Sequence, residues 1–231
     1  MEAIILAGGL GTRLRSVVPN LPKPLARIGG RPFLAYLLDF LASQGITSVL
    51  LSVGYRAVDI VSAFGSRHGD LALGYVIEEA PLGTGGALRD ALSRVERFPV
   101  LAMNGDTYLE FDHRAMVRAH VESRASLSLA VSPRTDTGRY GQVIVAEGRV
   151  VAFDADGAGP GFINCGCYLL ADNLLDDPAL PETFSFERDF LAAKVAALRP
   201  MAFVTDGYFI DIGVPEDYVR AQTELAGRRS K

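Results

Sequence analysis

Residues 1–14 read MEAIILAGGLGTRL, an apolar run that breaks into Gly8, Gly9 and Gly11 and ends on Thr12, Arg13 and Leu14. A short apolar stretch bounded by glycines predicts a buried strand over 2–7, followed by a loop that lies against something. Two familiar phosphate motifs fail here. A dinucleotide fingerprint begun at Gly9 needs a small residue where Leu14 stands, and a P-loop begun at Gly8 needs glycine at 13 and lysine at 14. What remains is a loop whose N–H groups can cradle an anion, with Thr12 as a further donor and Arg13 able to grip phosphate through two parallel hydrogen bonds. The competing reading is a tight turn with a surface arginine.

Working outward, the order of elements sets the fold class. Phe33, Tyr36, Leu37, Phe40 and Leu41 fall at helical spacing, and Gly45 stands where a helix stop is expected. TSVLLSV (47–53) reads as a buried strand, AVDIVSAFGSR as a helix, ALGYVIEE as a strand, GALRDALSRV as a helix and PVLAMNGD as a strand. Strands this uniformly apolar have no wet face, so the alternation predicts an α/β fold with a parallel sheet covered by helices. In such sheets ligands bind beyond the carboxyl ends of the strands. Three of those ends carry the unusual segments AGGLGTR, EEAPLGTGG and NGD.

Beyond residue 110 the pattern turns α+β. HRAMVRAHVES reads as a helix, SLSLAVS as a strand, QVIVAEGRVVAF as a hairpin about Glu147-Gly148, and FINCGCYLLA as a strand. FERDFLAAKVAAL reads as a helix, MAFVTDGYFIDIG as a strand pair and PEDYVRAQTELAG as a closing helix with Pro215 near its start. No linker separates the halves, so the expectation is a single domain over 1–231, with subregions 1–110 and 111–231.

The composition narrows the class. With 231 residues, 49% hydrophobic and 22% charged, the chain can bury a core without disulfides or a structural metal. A net charge of −4 argues against a nucleic-acid footprint, and no apolar run approaches a membrane span. A leader is not evident, which makes the cytoplasm the expected compartment. Cys165 and Cys167 are too few for a metal site and read as buried thiols on one strand face. His68, His113 and His120 read as solvated helix positions.

Three further residues point to phosphate chemistry. Leu21-Pro22-Lys23-Pro24-Leu25 brackets a lysine with two prolines, which predicts a stiff, extended segment that presents Lys23 as a second cation. Asp106, after Asn104-Gly105 at a strand end, can approach a phosphate only across a cation, and Mg²⁺ held by one or two carboxylates supplies that. Asp211 interrupts the apolar stretch Tyr208–Ile212, which is costly for an inward acid unless it is paired or metal-bound; a helix cap is the alternative.

Taken in order, GGLGTRL, PKPL, PLGTGGAL, NGD and FIDIGVPEDY resemble the sugar-1-phosphate nucleotidyltransferases over nearly the whole chain. FIDIGVPEDY and Arg139-Tyr140-Gly141 are similar to the subgroup that forms GDP-D-glycero-α-D-manno-heptose. The resemblance implies a Rossmann-like (GT-A-like) single domain with a mixed, mostly parallel sheet flanked by helices. It also implies direct attack of a sugar 1-phosphate on the α-phosphorus of a nucleoside triphosphate. Carried onto this chain, Leu6, Ala7, Gly8, Gly9, Gly11, Thr12, Arg13, Lys23, Glu78, Pro81, Gly83, Thr84, Asn104 and Asp106 would bind the nucleotide. Arg13, Lys23 and Asp106 would be catalytic, and Asp106 and Asp211 would hold Mg²⁺. Tyr140, Gly141, Asn164, Gly166, Glu187 and Asp189 would meet the sugar phosphate.

The resemblance implies that Ile77–Gly86 recognises the base; Glu78 either reaches it or only ends the strand, with selection left to backbone groups. Guanine offers N1–H and its N2 amino group side by side to one carboxylate, whereas uracil and thymine offer one donor between acceptors. The difference is worth about 1–3 kcal/mol per unpaired buried polar group, which favours GTP. The expected partners are therefore GTP and a sugar 1-phosphate, heptose 1-phosphate foremost, and a homodimer is left open. The alternatives are mannose 1-phosphate with GTP, an N-acetylhexosamine or N-acetylmuramate phosphate with UTP, and a non-catalytic nucleotide-sugar sensor. Relatives commonly carry a lysine for the sugar phosphate where this chain has Phe153-Asp154-Ala155-Asp156; Arg188, Lys194 and Arg139 are the candidate substitutes.

Overall fold

The computed structural model of the chain describes residues 1–14, 16–19 and 21–228. In order these form β1 (Glu2–Leu6), two-residue strands β2 (Arg27–Ile28) and β3 (Arg31–Pro32), α1 (Phe33–Ser43), β4 (Ser48–Val53), α2 (Ala57–Phe64), β5 (Arg67–His68) and β6 (Leu71–Ile77). Then come α3 (Gly83–Leu92), β7 (Val100–Asn104), β8 (Thr107–Leu109), α4 (His113–Glu122), β9 (Leu127–Arg134), β10 (Gln142–Ala146), β11 (Arg149–Asp154) and β12 (Gly161–Leu170). A π-helical stretch Phe186–Ala192 leads into α5 (Ala193–Leu198), and β13 (Met201–Val204), β14 (Phe209–Asp211) and α6 (Pro215–Glu224) close the chain.

The chain divides into two compact units that interleave in sequence. The first comprises Met1–Pro81, Met103–Glu110 and Tyr208–Lys231, and the second Leu82–Ala102 and Phe111–Gly207. In the first unit β1 pairs with β4 and β4 with β6, both parallel as the uniformly apolar strands require, while short β5 folds back antiparallel on β6. Ile4, Ile5, Val49, Leu51 and Val53 are fully buried there, as are Phe33, Leu34, Leu37 and Leu41 of α1. Gly45, at φ +83°, ends that helical segment in the left-handed conformation expected of a stop.

The second unit is mixed. β9 lies antiparallel to β12 and parallel to β13, with β10 and β11 forming the hairpin read from the sequence. Its turn residues Glu147 and Gly148 both have positive φ, +52° and +70°, as a two-residue turn of type I′ demands. Asp112 accepts from the Ala115 N–H and caps α4. Among the described residues, no helix is long and apolar enough to cross a membrane.

Several local expectations are corrected. Lys23 is not extended: only Pro22 is (φ −65°, ψ 147°), and Lys23–Leu25 form one 3₁₀ turn, closed by Leu25 N–H to Pro22 O. The helix at 186–198 opens as a π-helix. His113 and His120 are buried, not solvated, and His120 Nδ1 lies 2.7 Å from Ser128 Oγ. His68 sits on β5 with Nε2 at 2.6 Å from Asp39 Oδ1. Cys165 and Cys167 are buried as expected, and burial pushes the Cys165 thiol up to about 12. Gly166 between them, at φ +63°, lies in a register shift that interrupts the simple alternation of strand faces.

Candidate functional site

The first unit gathers the nucleotide candidates at the carboxyl ends of β1, β6 and β7. β1 ends where Ala7 N–H donates to Ser52 O and Gly105 N–H donates to Leu6 O, both short bonds that set the glycine loop beside the NGD segment. Only glycine fits at 105: an added Cβ would stand 2.6 Å from Leu6 O. At Gly8 the close neighbour is instead the end of a side chain, since an added Cβ would stand 2.3 Å from Glu78 Oε1. Glu78 therefore reaches back across Gly8, half-buried, with Ser52 Oγ donating to Oε1 at 3.4 Å. Gly9, Thr12, Arg13 and Pro81 are exposed along this end, and Thr12–Leu14 form a single 3₁₀ turn.

The charged residues converge in the same unit. Lys23 Nζ lies 2.6 Å from Asp106 Oδ2, with side chains 13% and 29% exposed, so the pair is held but only partly shielded from water. The lysine stem packs over Gly11, whose added Cβ would meet Lys23 Cγ at 2.9 Å. Asp211 arrives from far along the chain because β14 pairs with β8. Asp211 stands opposite Thr107, and Ile212 N–H donates to Asp106 O at 2.9 Å. Asp211 does not cap α6, whose N-cap is Val214; its Oδ1 accepts from Gly213 N–H at 2.6 Å. A Cβ at Gly213 would stand 2.8 Å from Asp211 Oδ1 and 3.5 Å from Arg13 Nη2, which places the guanidinium and the carboxylate beside the same glycine.

Two cations and two acids, dispersed between residues 13 and 211, are thus linked within this unit: Lys23 to Asp106 directly, Asp211 to Arg13 across Gly213, and the two acids through the Ile212 N–H to Asp106 O bond. Among the described residues, no group of three or more His, Cys, Asp and Glu forms an all-protein metal cage. Two carboxylates are nevertheless the donor set Mg²⁺ takes when phosphate and water supply the rest. Asp106 already holds a positive charge, the Lys23 ammonium, so the residues present fit that ion.

The second unit gathers most of the sugar candidates around Glu187. Thr84 Oγ1 donates to Glu187 Oε2 at 2.7 Å, and Phe186 N–H donates to Thr84 Oγ1 at 2.9 Å. Tyr168 OH donates to Glu187 Oε1 at 3.3 Å and accepts from Asn164 Nδ2 at 2.9 Å, while Gly166 N–H donates to Asn164 Oδ1. Thr84, read as a nucleotide residue, is thereby tied to a sugar candidate, and the adjacent Gly83 packs on the backbone of Phe184. Asp189 is engaged differently. It accepts from Ser185 N–H and pairs with Arg188 through both oxygens, which holds its carboxyl at about 2. Tyr140 and Gly141 stand before β10, where Gly141, at φ +71°, lies against Asp154 O, which an added Cβ would meet at 2.9 Å.

Of the candidate substitutes for the missing lysine, Arg188 is bound to Asp189 and Lys194 to Asp177, while Arg139 lies over the Tyr140 ring at 4.8 Å. Sequence reasoning missed Ser52 and Tyr168. Ser52 had a signal, a polar residue inside TSVLLSV. Tyr168 did not, since an aromatic in FINCGCYLL reads as core.

Comparison with known proteins agrees over nearly the full length. The profile of the family described as Nucleotidyl transferase matches residues 2–228. The D-glycero-alpha-D-manno-heptose 1-phosphate guanylyltransferase of Aneurinibacillus thermoaerophilus is 46% identical over 226 residues, covering 97% of this chain and 98% of its own. The protein of the same name from Campylobacter jejuni is 41% identical over 220 residues, covering 94% and 97%. The crystal structure of HddC from Yersinia pseudotuberculosis complexed with GMP-PN superimposes with a TM-score of 0.85 at 37% identity, covering 97% of this chain and 99% of that one. A match that runs almost end to end fixes the family: this chain belongs to the nucleotidyl transferases.

Proposed function

We propose that this chain transfers the guanylyl group of GTP to D-glycero-α-D-manno-heptose 1-phosphate, releasing pyrophosphate and forming the GDP-sugar. The observation that carries the reading is the convergence of Arg13, Lys23, Asp106 and Asp211 beside a glycine loop over which Glu78 is folded. The guanylyltransferases similar to it along almost their whole length support the choice of base and sugar. With GTP as the donor, the work belongs in the cytoplasm.

The chemistry is a single displacement. A phosphate oxygen of the sugar 1-phosphate attacks the α-phosphorus, the bond from that phosphorus to the oxygen bridging to the β-phosphate breaks, and pyrophosphate leaves with the electron pair. Positioning and electrostatics do most of this work, and one well-aimed donor is worth about 3–4 kcal/mol. The N–H groups of the loop at 8–12 and the Arg13 guanidinium hold the triphosphate. Lys23, poised on a short turn between two prolines, turns its ammonium from Asp106 to the charge that builds at the α-phosphate oxygens. Asp106 and Asp211 would hold Mg²⁺, which when bound neutralises triphosphate oxygens and eases departure of pyrophosphate. Glu78 accepts from guanine N1–H and N2–H. Asn164 and Glu187 supply paired acceptors and donors suited to sugar hydroxyls.

The test is pyrophosphate release by purified protein across a panel of triphosphates and sugar 1-phosphates, with mass spectrometry of the product. GTP with heptose 1-phosphate is expected to give the highest kcat/KM. Faster turnover of UTP than of GTP overturns the role of Glu78, and faster turnover of mannose 1-phosphate overturns the choice of sugar.

A further inference from the structure

Five hydrogen bonds in the second unit run in one direction and end on one carboxylate. Gly166 N–H donates to Asn164 Oδ1, Asn164 Nδ2 to Tyr168 OH, and Tyr168 OH to Glu187 Oε1. From the other side, Phe186 N–H donates to Thr84 Oγ1 and Thr84 Oγ1 to Glu187 Oε2. Each hydroxyl donates once and accepts once, so neither can turn without losing two bonds. Such chains polarise and stiffen their members. The Tyr168 side chain is 1% exposed and packs edge-on against Phe186 with ring centroids 5.0 Å apart, so the phenol has no other place to go. Burial pushes its ionisation far above the usual range, and it keeps the proton that it donates.

Building this arrangement costs something that simple packing would avoid. A phenylalanine at 168 and a valine at 84 would fill the same volumes without placing two hydroxyls against a carboxylate. The two donors arrive on different oxygens, from a strand (β12) and from the first turn of a helix (α3), 84 residues apart in sequence (168 − 84). Together they fix both the position and the tilt of the Glu187 plane. Ser185 Oγ adds a third hydroxyl donor, to Oε2 at 3.4 Å, so Thr84 makes the shortest bond to that oxygen and Tyr168 is the hydroxyl on Oε1.

We infer that Thr84 and Tyr168 are positioning residues that hold the Glu187 carboxylate, and through Tyr168 the Asn164 amide, in the one orientation that receives the hydroxyls of the sugar 1-phosphate. Thr84 acts here on the sugar rather than on the nucleotide. The inference rests on the assignment of Glu187 to the sugar in the proposed function.

The test uses Thr84→Val, Tyr168→Phe and the conservative Thr84→Ser, each checked for an unaltered melting temperature and circular dichroism. Steady-state kinetics with GTP are paired with calorimetric binding of heptose 1-phosphate and mannose 1-phosphate in the absence of GTP. Loss of one hydroxyl donor to a carboxylate is expected to raise the KM and Kd for the sugar phosphate about tenfold, with the KM for GTP within about twofold of wild type. Thr84→Ser, which keeps the hydroxyl, is expected to restore sugar binding. If Thr84→Val raises the KM for GTP and leaves sugar binding alone, or if Tyr168→Phe and Thr84→Val both bind sugar phosphate like wild type, the inference is overturned while the proposed function stands. Wild-type protein that binds neither sugar 1-phosphate overturns the proposed function and this inference with it.

Discussion

Replacing Gly8 by alanine tests the base-recognition geometry with a single methyl group. The new Cβ would stand 2.3 Å from Glu78 Oε1, whereas ordinary van der Waals contact begins at 3.4 Å, so the carboxylate must retreat by 3.4 − 2.3 = 1.1 Å. The backbone barely resists, because its nearest atom, Gly54 N at 3.3 Å, needs only slight adjustment. Stability should therefore fall little. Recognition should fall much more, since a hydrogen bond of about 2.9 Å stretched by that distance is no longer one. Leaving guanine donors without their acceptor costs about 1–3 kcal/mol, which is about 5- to 150-fold in kcat/KM for GTP. The assay is initial-rate pyrophosphate release with GTP and UTP, run on Gly8→Ala, Glu78→Ala and the double variant. If the methyl acts by displacing Glu78, it should cost almost nothing once Glu78 is already truncated. An undiminished loss in the double variant would show that the methyl obstructs the nucleotide itself, and the route through Glu78 would be refuted.

Other perturbations read other parts of the molecule. Asp106→Asn should leave circular dichroism unchanged and remove Mg²⁺-dependent turnover; retention of more than about a tenth of kcat contradicts the metal assignment. Gly85→Ala would drive a Cβ to 2.2 Å from the ring of Phe184, which is 3% exposed, and overpacking of this kind costs about 1–3 kcal/mol, a Tm lower by about 2–12 °C in calorimetry. Burial holds the His113 and His120 imidazoles below their usual range. The unfolded chain takes up these protons near pH 6.5 and the folded chain resists them, so their contribution to stability is complete above that pH and declines as pH falls through it. Urea unfolding of wild type and His120→Gln between about pH 7 and about pH 5 should show the shallower loss in the variant; parallel curves would exclude His120 as a source.

What the sequence disclosed follows from which signals are local. The strand β1, its glycine loop and the hairpin at Glu147-Gly148 were legible because apolar runs and turn residues act over a few neighbouring positions. That Asp106 needs a cationic partner was legible because an acid at the end of an apolar strand does, and Lys23 is the partner the structure gives it. Strand β14 was read in MAFVTDGYFIDIG, but β8, three residues directly after Asp106, carries no periodic signal, and its pairing with β14 is what sets Asp211 opposite Thr107. The tie between Thr84 and Glu187 spans 103 residues, and nothing in PLGTGGAL announces it. The extended reading of Lys23 gave too much weight to Pro24: a 3₁₀ turn also accommodates the fixed φ of a proline. The histidines were misread although the signal was present. His113, Met116 and His120 lie at the spacing of one helix face, and all three are buried.

The order in which the polypeptide visits its two compact units has a practical corollary for engineering and for descent. It passes from one to the other at 81/82, 102/103, 110/111 and 207/208, so the first unit is assembled from three separate stretches and the second from two. Neither corresponds to a contiguous gene fragment. Recombination cannot exchange one half for a foreign counterpart at a single crossover, and a plasmid truncated after codon 110 would encode neither. An exchange of the first unit would take replacement of all three of its stretches at once, and of the second both of its two.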